Sequence, residues 1–236
     1  MEKYTNVAGG SPSDLNIPLV VKAKYENGDY VSIIFKKPHG LIFDSGNWMD
    51  IRFLTPDLAT GKTYSFASSP TEPDIMIGLR KGVSKFKKAL EQLKSGDIIL
   101  ITQYGSNGFL FNKRFSSVFI AGGIGITPFR SMIKYAIDTD SKTDIHLIFQ
   151  NHIYDFPYKD EFEKWASEYS NLKITYVATE KEGRLTNQKL TQLIPEITDK
   201  MYYIAGSPGM VNGTAHKLHE LNVKNDNIKT DSFDGY

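Results

Sequence analysis

The chain has 236 residues, 40% hydrophobic and 23% charged, enough for one large or two modest globular domains. Its formal net charge of +1 asks for neither nucleic acid nor an acidic membrane surface as partner. The lack of cysteine excludes disulfides, cysteine nucleophiles and cysteine-ligated iron–sulfur clusters within the chain. No apolar run has the length of a membrane-spanning helix, and Met1-Glu2-Lys3-Tyr4 opens no signal-peptide core, so the expectation is a cytoplasmic protein without membrane insertion.

Residues 1–15 contain Gly9-Gly10-Ser11-Pro12-Ser13 and show no periodicity; a flexible tail is expected. Residues 16–114 favour short β-rich pieces: 19–21, 30–35, 49–53, 63–66, 74–79 and 97–101, separated by glycine, proline, asparagine and aspartate. Strands at this spacing predict a small antiparallel β-barrel. One helix is expected among them over 84–94, with Ser84 as N-cap and Phe86, Ala89, Leu90 and Leu93 on one face.

The character changes near Asn112–Phe115. Over 115–236, strands at 117–121, 144–150, 172–178 and 201–205 alternate with helices at 128–138, 158–169, 186–194 and 208–221. Such alternation predicts an α/β domain with a parallel sheet covered by helices.

The first strand-to-helix turn of this half, Gly122-Gly123-Ile124-Gly125-Ile126-Thr127-Pro128, is the most informative stretch. Its glycines let backbone approach a ligand, and a new helix points unpaired N–H groups and a positive dipole end at it, which suits phosphate. Thr127 reads as N-cap and Pro128 as the first helical residue.

Four other segments stand out. In Lys62-Thr63-Tyr64-Ser65-Phe66, strand alternation puts Lys62, Tyr64 and Phe66 on one face; this is either an ordinary barrel strand or a support for a flat polar ring and its phosphate. Leu79-Arg80-Lys81-Gly82-Val83-Ser84 again sets glycine and cations before a capped helix start, while Lys85, Lys87, Lys88 and Lys94 read as a solvated face or a dock for an acidic partner. Tyr203-Ile204-Ala205-Gly206-Ser207-Pro208-Gly209-Met210 is a second glycine turn at a strand end. Asp231-Ser232-Phe233-Asp234-Gly235-Tyr236 is either a terminal strand or an aromatic tail that docks on something flat. His216 and His219 have metal-pair spacing but no third ligand, so no metal site is expected. Without a Gly-x-Ser-x-Gly turn, acyl hydrolysis is unsupported.

In this order the segments resemble the ferredoxin–NADP reductase-like flavoprotein family over about residues 17–236. Lys62-Thr63-Tyr64-Ser65 resembles its Arg-x-Tyr-Ser flavin motif, Gly82-Val83-Ser84 its flavin pyrophosphate turn, and Gly122–Pro128 its nicotinamide-nucleotide pyrophosphate motif. Gly206-Ser207-Pro208-Gly209-Met210 resembles its late Gly-Pro-x-x-Met turn, and Phe233–Tyr236 its flavin-covering tail.

The resemblance implies an FAD-binding barrel, with FMN the lesser alternative, and an NAD(P)-binding α/β domain. Hydride would pass between NADPH or NADH and the flavin, and electrons onward to an external acceptor. That acceptor would be a ferredoxin or flavodoxin, a heme protein, or a small molecule such as a ferric chelate or free flavin. A non-catalytic electron-relay or nucleotide-binding subunit of a larger complex is the alternative of another class. The implied catalytic residues are Ser65, Asp231 and Tyr236, with Ser65 near flavin N5 and Tyr236 stacked on the flavin ring. Lys62, Tyr64, Leu79, Arg80, Gly82, Val83 and Ser84 would hold the flavin. Gly123, Gly125, Thr127, His152, Arg184, Gly206, Pro208 and Met210 would hold the pyridine nucleotide.

Three positions depart from the family pattern. Lys62 replaces its arginine, keeping charge but losing the bidentate fork. Ala205 stands where a cysteine is frequent. Asn151-His152 replaces Asn-Arg, so the choice between NADH and NADPH stays open.

Overall fold

The structure is a computed structural model that describes residues 15–233. Residues 1–14 of the expected tail and 234–236 of the expected flavin-covering end, including Tyr236, lie outside the described residues. The chain divides into two compact units: residues up to Phe111 together with Arg130–Tyr135, and Asn112–Phe129 together with Ala136 onward.

The first unit is an antiparallel six-stranded sheet: β1 (Ile17–Asn27), β2 (Tyr30–Lys36), β3 (Trp48–Arg52), β4 (Lys62–Ser65), β5 (Asp74–Arg80) and β6 (Ile98–Gly105). The strand order is β4-β3-β6-β1-β2-β5. Ala67, just past β4, donates to the Met76 carbonyl of β5 at 2.8 Å and joins the two ends of the order, giving the curled, barrel-like sheet that the short strands predict. Alternating residues such as Ile17, Leu19 and Val21, or Val31, Ile33 and Phe35, are fully buried and form one core. Phe43 and Phe66 stack within it at 4.1 Å. Helix α1 (Lys85–Gln92) buries Phe86 and Leu90, and Ser84 is its N-cap, its hydroxyl accepting from the Lys87 amide at 3.3 Å. The helix stops before 94 because Leu93 turns extended, with ψ 140°.

Arg130 is buried in this unit. It donates to the Ala67 carbonyl at 2.8 Å and forks onto Glu72 at 2.9 and 3.1 Å. Glu72 also accepts from the Ser69 amide at 2.6 Å, so the pair ties down the 67–72 turn directly after β4. Arg130→Met would leave a mostly buried carboxylate without its cation, at a cost of about 3 kcal/mol. Chemical denaturation checks this; a loss below about 0.5 kcal/mol, typical of surface changes, would contradict it.

The second unit is an all-parallel sheet of β7 (Ser117–Gly122), β8 (Ile145–Asn151), β9 (Leu172–Ala178), β10 (Met201–Gly206) and β11 (Ile228–Ser232), in order β11-β10-β7-β8-β9. Val118, Phe119, Ile120 and Ala121 are buried in succession, as a strand covered on both faces requires. The helices are α2 (Thr127–Asp138), α3 (Lys159–Glu168), α4 (Thr179–Glu182), α5 (Asn187–Leu193) and α6 (Pro208–Glu220). The chain steps outward from β7 to β8 to β9, then returns to β10 on the other side of β7. The carboxyl ends of β7 and β10 are therefore the switch point where such sheets bind ligands.

One local expectation is corrected, and a second is refined. Thr127 is not an N-cap: its backbone is helical (φ −57°, ψ −50°) and its buried hydroxyl donates to the Ile124 carbonyl at 3.1 Å. The helical course begins earlier, as a 3-10 turn over Gly123–Ile126 that runs into α2. In β4 the expected grouping of Lys62, Tyr64 and Phe66 divides by burial. Lys62 is exposed, whereas Tyr64 and Phe66 belong to the core, with Tyr64 stacked on Phe86 at 6.5 Å.

Candidate functional site

In the second unit, the carboxyl ends of β7 and β10 are built from glycine. Gly123 takes φ +53° and Gly206 φ +155°, both in the range that disfavours a side chain. A Cβ on Gly125 would fall 2.3 Å from the Ala205 carbonyl oxygen, and one on Gly122 would fall 2.6 Å from Met210 Cε. Gly122 and Gly206 thus lie under the Met210 methyl, which enters on α6 after Pro208 at the first helical position. The structure therefore brings Gly123, Gly125, Gly206, Pro208 and Met210 together at the switch point. Thr127 lies beside them in sequence, but its hydroxyl proton is already used on Ile124.

His152 and Arg184 are both exposed. Their segments meet at the ends of β8 and β9: the Glu180 amide donates to the His152 carbonyl at 2.9 Å, and the Leu185 amide to Gln150 Oε1 at 3.4 Å. Gln150, which no sequence motif marks, is the buried residue that links the two.

In the first unit, Ser65 is 5% exposed at the end of β4, and its Oγ is buried with no hydrogen-bond partner among the described residues. A sealed hydroxyl without a partner is costly to a fold and marks a place where another group bonds. Leu79 lies wholly in the core, so only its backbone can serve a ligand. Arg80 is exposed and paired with Asp29 at 3.2 Å, and Val83 is 92% exposed at the tip of the turn. The Gly82 amide donates to Glu91 Oε1 at 3.1 Å. One of the anion-suited amides of that turn is thus held by a carboxylate from α1, which sequence reasoning did not find because Glu91 lies nine residues away.

Asp231 sits on β11 opposite Ala205 of β10. The chain end through Ser232 is therefore a terminal strand, and the Phe233 amide donates to the Gly206 carbonyl at 2.9 Å. Burial pushes the Asp231 carboxyl up to about 6, from the usual 3.8. Its folded-state proton affinity is raised, so this contribution to stability is complete below 3.8 and is lost as pH rises to about 6. Above that, burying the charge costs roughly 3 kcal/mol, at about 1.4 kcal/mol per pH unit of the rise. Asp231→Asn is expected to raise Tm in mildly alkaline buffer and to match the parent in strong acid. A difference in Tm that does not change with pH would contradict this. Among the described residues no three His, Cys, Asp or Glu side chains gather as a metal site; His216 instead pairs with Glu220 at 3.3 Å.

An antiparallel barrel-like sheet and a parallel sheet with a glycine-lined switch point give the two-unit fold that solved ferredoxin NADP+ reductases also have. Residues 119–216 match the model of the oxidoreductase NAD-binding domain family. Solved structures with this fold include the FAD/NAD-binding domain of nitric oxide dioxygenase from Vibrio cholerae, with a TM-score of 0.79 at 16% identity, covering 92% of this chain and 98% of that one. A ferredoxin NADP+ reductase from Neisseria gonorrhoeae, solved with bound FAD and NADP, gives 0.78 at 16% identity, covering 91% of this chain and 97% of that one. Among curated proteins, the Bacillus subtilis flavohemoprotein is 25% identical over 92% of this chain and 59% of its own length. The gamma subunit of sulfhydrogenase 2 from Pyrococcus furiosus is 36% identical over 41% of this chain and 34% of its own length. The chain spans between about one third and three fifths of the length of these two curated relatives.

Proposed function

We propose that the chain is an NAD(P)H-dependent flavoprotein reductase unit that passes electrons to an acceptor outside itself. The observation that carries this reading is the oxidoreductase NAD-binding match over 119–216, which includes the glycine turn at the switch point. The first unit suits a flavin because Ser65 keeps a buried, unpartnered hydroxyl at the end of the Lys-x-Tyr-Ser strand. When bound, a flavin supplies a ring that takes up a hydride and can release electrons singly.

The chain's own residues have separable roles in this reading. Ser65 would hydrogen-bond the ring near its hydride-accepting position. The exposed Lys62, the Val83 and Ser84 amides and Arg80 would meet the flavin phosphates. Gly123 and Gly125 would let the nucleotide pyrophosphate approach backbone amides at the start of the 3-10 turn, as anions bind at helix starts. Met210 would wall that cradle. Asp231 would hold or give up a proton near neutrality, and Tyr236 would cover the flavin face.

FAD is expected to reconstitute the purified protein more tightly than FMN. NADH or NADPH should then be oxidised with at least one acceptor in a panel of ferricyanide, ferric chelate, free flavin, ferredoxin and a heme protein. Failure to bind either flavin would contradict the proposal. The likeness to a sulfhydrogenase subunit favours a second reading, an electron-relay subunit of a larger complex. Flavin reduction without turnover on any free acceptor would select it.

A further inference from the structure

Gln150 sits at the carboxyl end of β8, in register with Gly122 of β7. It falls two residues after Ile148, which packs in the cluster of Val118, Ile120, Val177 and Leu185. By strand alternation Gln150 shares that face of the sheet. It is 6% exposed, and its register partners are Gly122 of β7 and the buried Val177 of β9. Its Oε1 accepts from the Leu185 amide at 3.4 Å. That bond sets the amide's orientation, because the reverse rotamer would set two donors against each other. Nε2 therefore faces away from the Leu185 amide, and it is buried with no partner among the described residues.

An amide nitrogen sealed in an apolar cluster gives up its hydrogen bonds to water and gains nothing from the fold in return. A leucine or methionine would fill the volume without that loss. The glutamine sits next to the glycine cradle and holds the loop that carries Arg184. We propose that Gln150 is a nucleotide-reading residue: Nε2 donates to a ribose or phosphate oxygen of the bound pyridine nucleotide, while Oε1 holds the 183–186 loop. The inference rests on the nucleotide-site reading given above. It adds a donor from β8, on the face opposite the helix-start amides, and couples ligand binding to the loop through one side chain. Entry of the ligand would displace the flexible Met210 methyl or the loop to reach it.

Two substitutions in the flavin-loaded protein separate the donor from the loop anchor. Gln150→Glu keeps an acceptor for the Leu185 amide and removes the donor; Gln150→Met removes both. Calorimetric titration with ADP-ribose and with nicotinamide mononucleotide, in mildly alkaline buffer, reads binding without turnover. Gln150→Glu should weaken at least one of the two fragments about tenfold or more. Flavin content should stay at the parent value, and the Tm lost by burying a carboxylate should recover as the buffer is acidified and that carboxyl is protonated. Equal affinity of parent and Gln150→Glu for both fragments overturns the proposal. Weakening by Gln150→Met alone also overturns it, because that reports loop positioning only. A parent that binds flavin but neither fragment defeats the nucleotide-site reading itself, and this inference with it.

Discussion

Ser65→Ala should slow reduction of the bound flavin by NAD(P)H about 100-fold, the scale set by loss of one aligned donor at a reacting centre. The same change should leave the flavin-free protein as stable as the parent, or slightly more stable. The reason lies in what the hydroxyl lacks. Ser65 Oγ is buried with no partner among the described residues, so removing it breaks no bond to them and relieves a buried polar group. A serine that served the fold would behave the opposite way, losing stability while turnover per folded molecule held. Stopped-flow reduction and thermal melts of flavin-free protein give the two readings. A slowed reaction with a large drop in flavin-free Tm would contradict the assignment, as would an unchanged reduction rate.

Gly125→Ala should destabilise the second unit by about 3 kcal/mol, the upper range for an atom forced into packed surroundings. Its Cβ would stand 2.3 Å from the Ala205 oxygen, 2.5 Å from the Ala205 carbonyl carbon and 2.7 Å from Gly206 Cα. These are backbone atoms of β10, and no rotamer change can clear them. The 3-10 turn would have to lift away from the strand, taking the helix-start amides with it. Gly209→Ala is the control: nothing lies within 4 Å of its added Cβ, and it sits in the first turn of α6. There alanine should raise stability by up to about 1 kcal/mol through helix propensity. Denaturant melts of both variants test the contrast; equal effects would remove the close-approach argument.

Much of this architecture was legible from local pattern. The parallel strands β7–β10 are apolar-rich runs, β7 continuously so, and their ends fall within a residue or so of the expected positions. The glycine turns were legible because close approach leaves no other residue type. What stayed hidden has physical causes. The edge strand β11 reads Ile-Lys-Thr-Asp-Ser, polar because an edge must resist further pairing, so it carries little strand signal. Thr127-Pro128 imitates an N-cap pair, and only the tertiary packing of Gly125 on Ala205 shows that the helical course starts earlier. Tyr64 alternates with Ser65 along β4, but the sheet curls enough to bury both, which a period-two pattern does not foresee. Glu91 on the Gly82 amide and Gln150 under the Leu185 amide are contacts across sequence. A lone glutamine at the end of an apolar strand has no motif to announce it.

The central claim is that this chain takes a hydride from a nicotinamide nucleotide onto a flavin that it binds. Anaerobic titration of the FAD-reconstituted protein with NADH and with NADPH tests it most directly, followed by visible absorbance. The account predicts a yellow protein whose flavin bands bleach with about one equivalent of at least one reduced nucleotide, since each delivers one hydride. A protein that holds flavin yet keeps its full absorbance under excess of both nucleotides would contradict it.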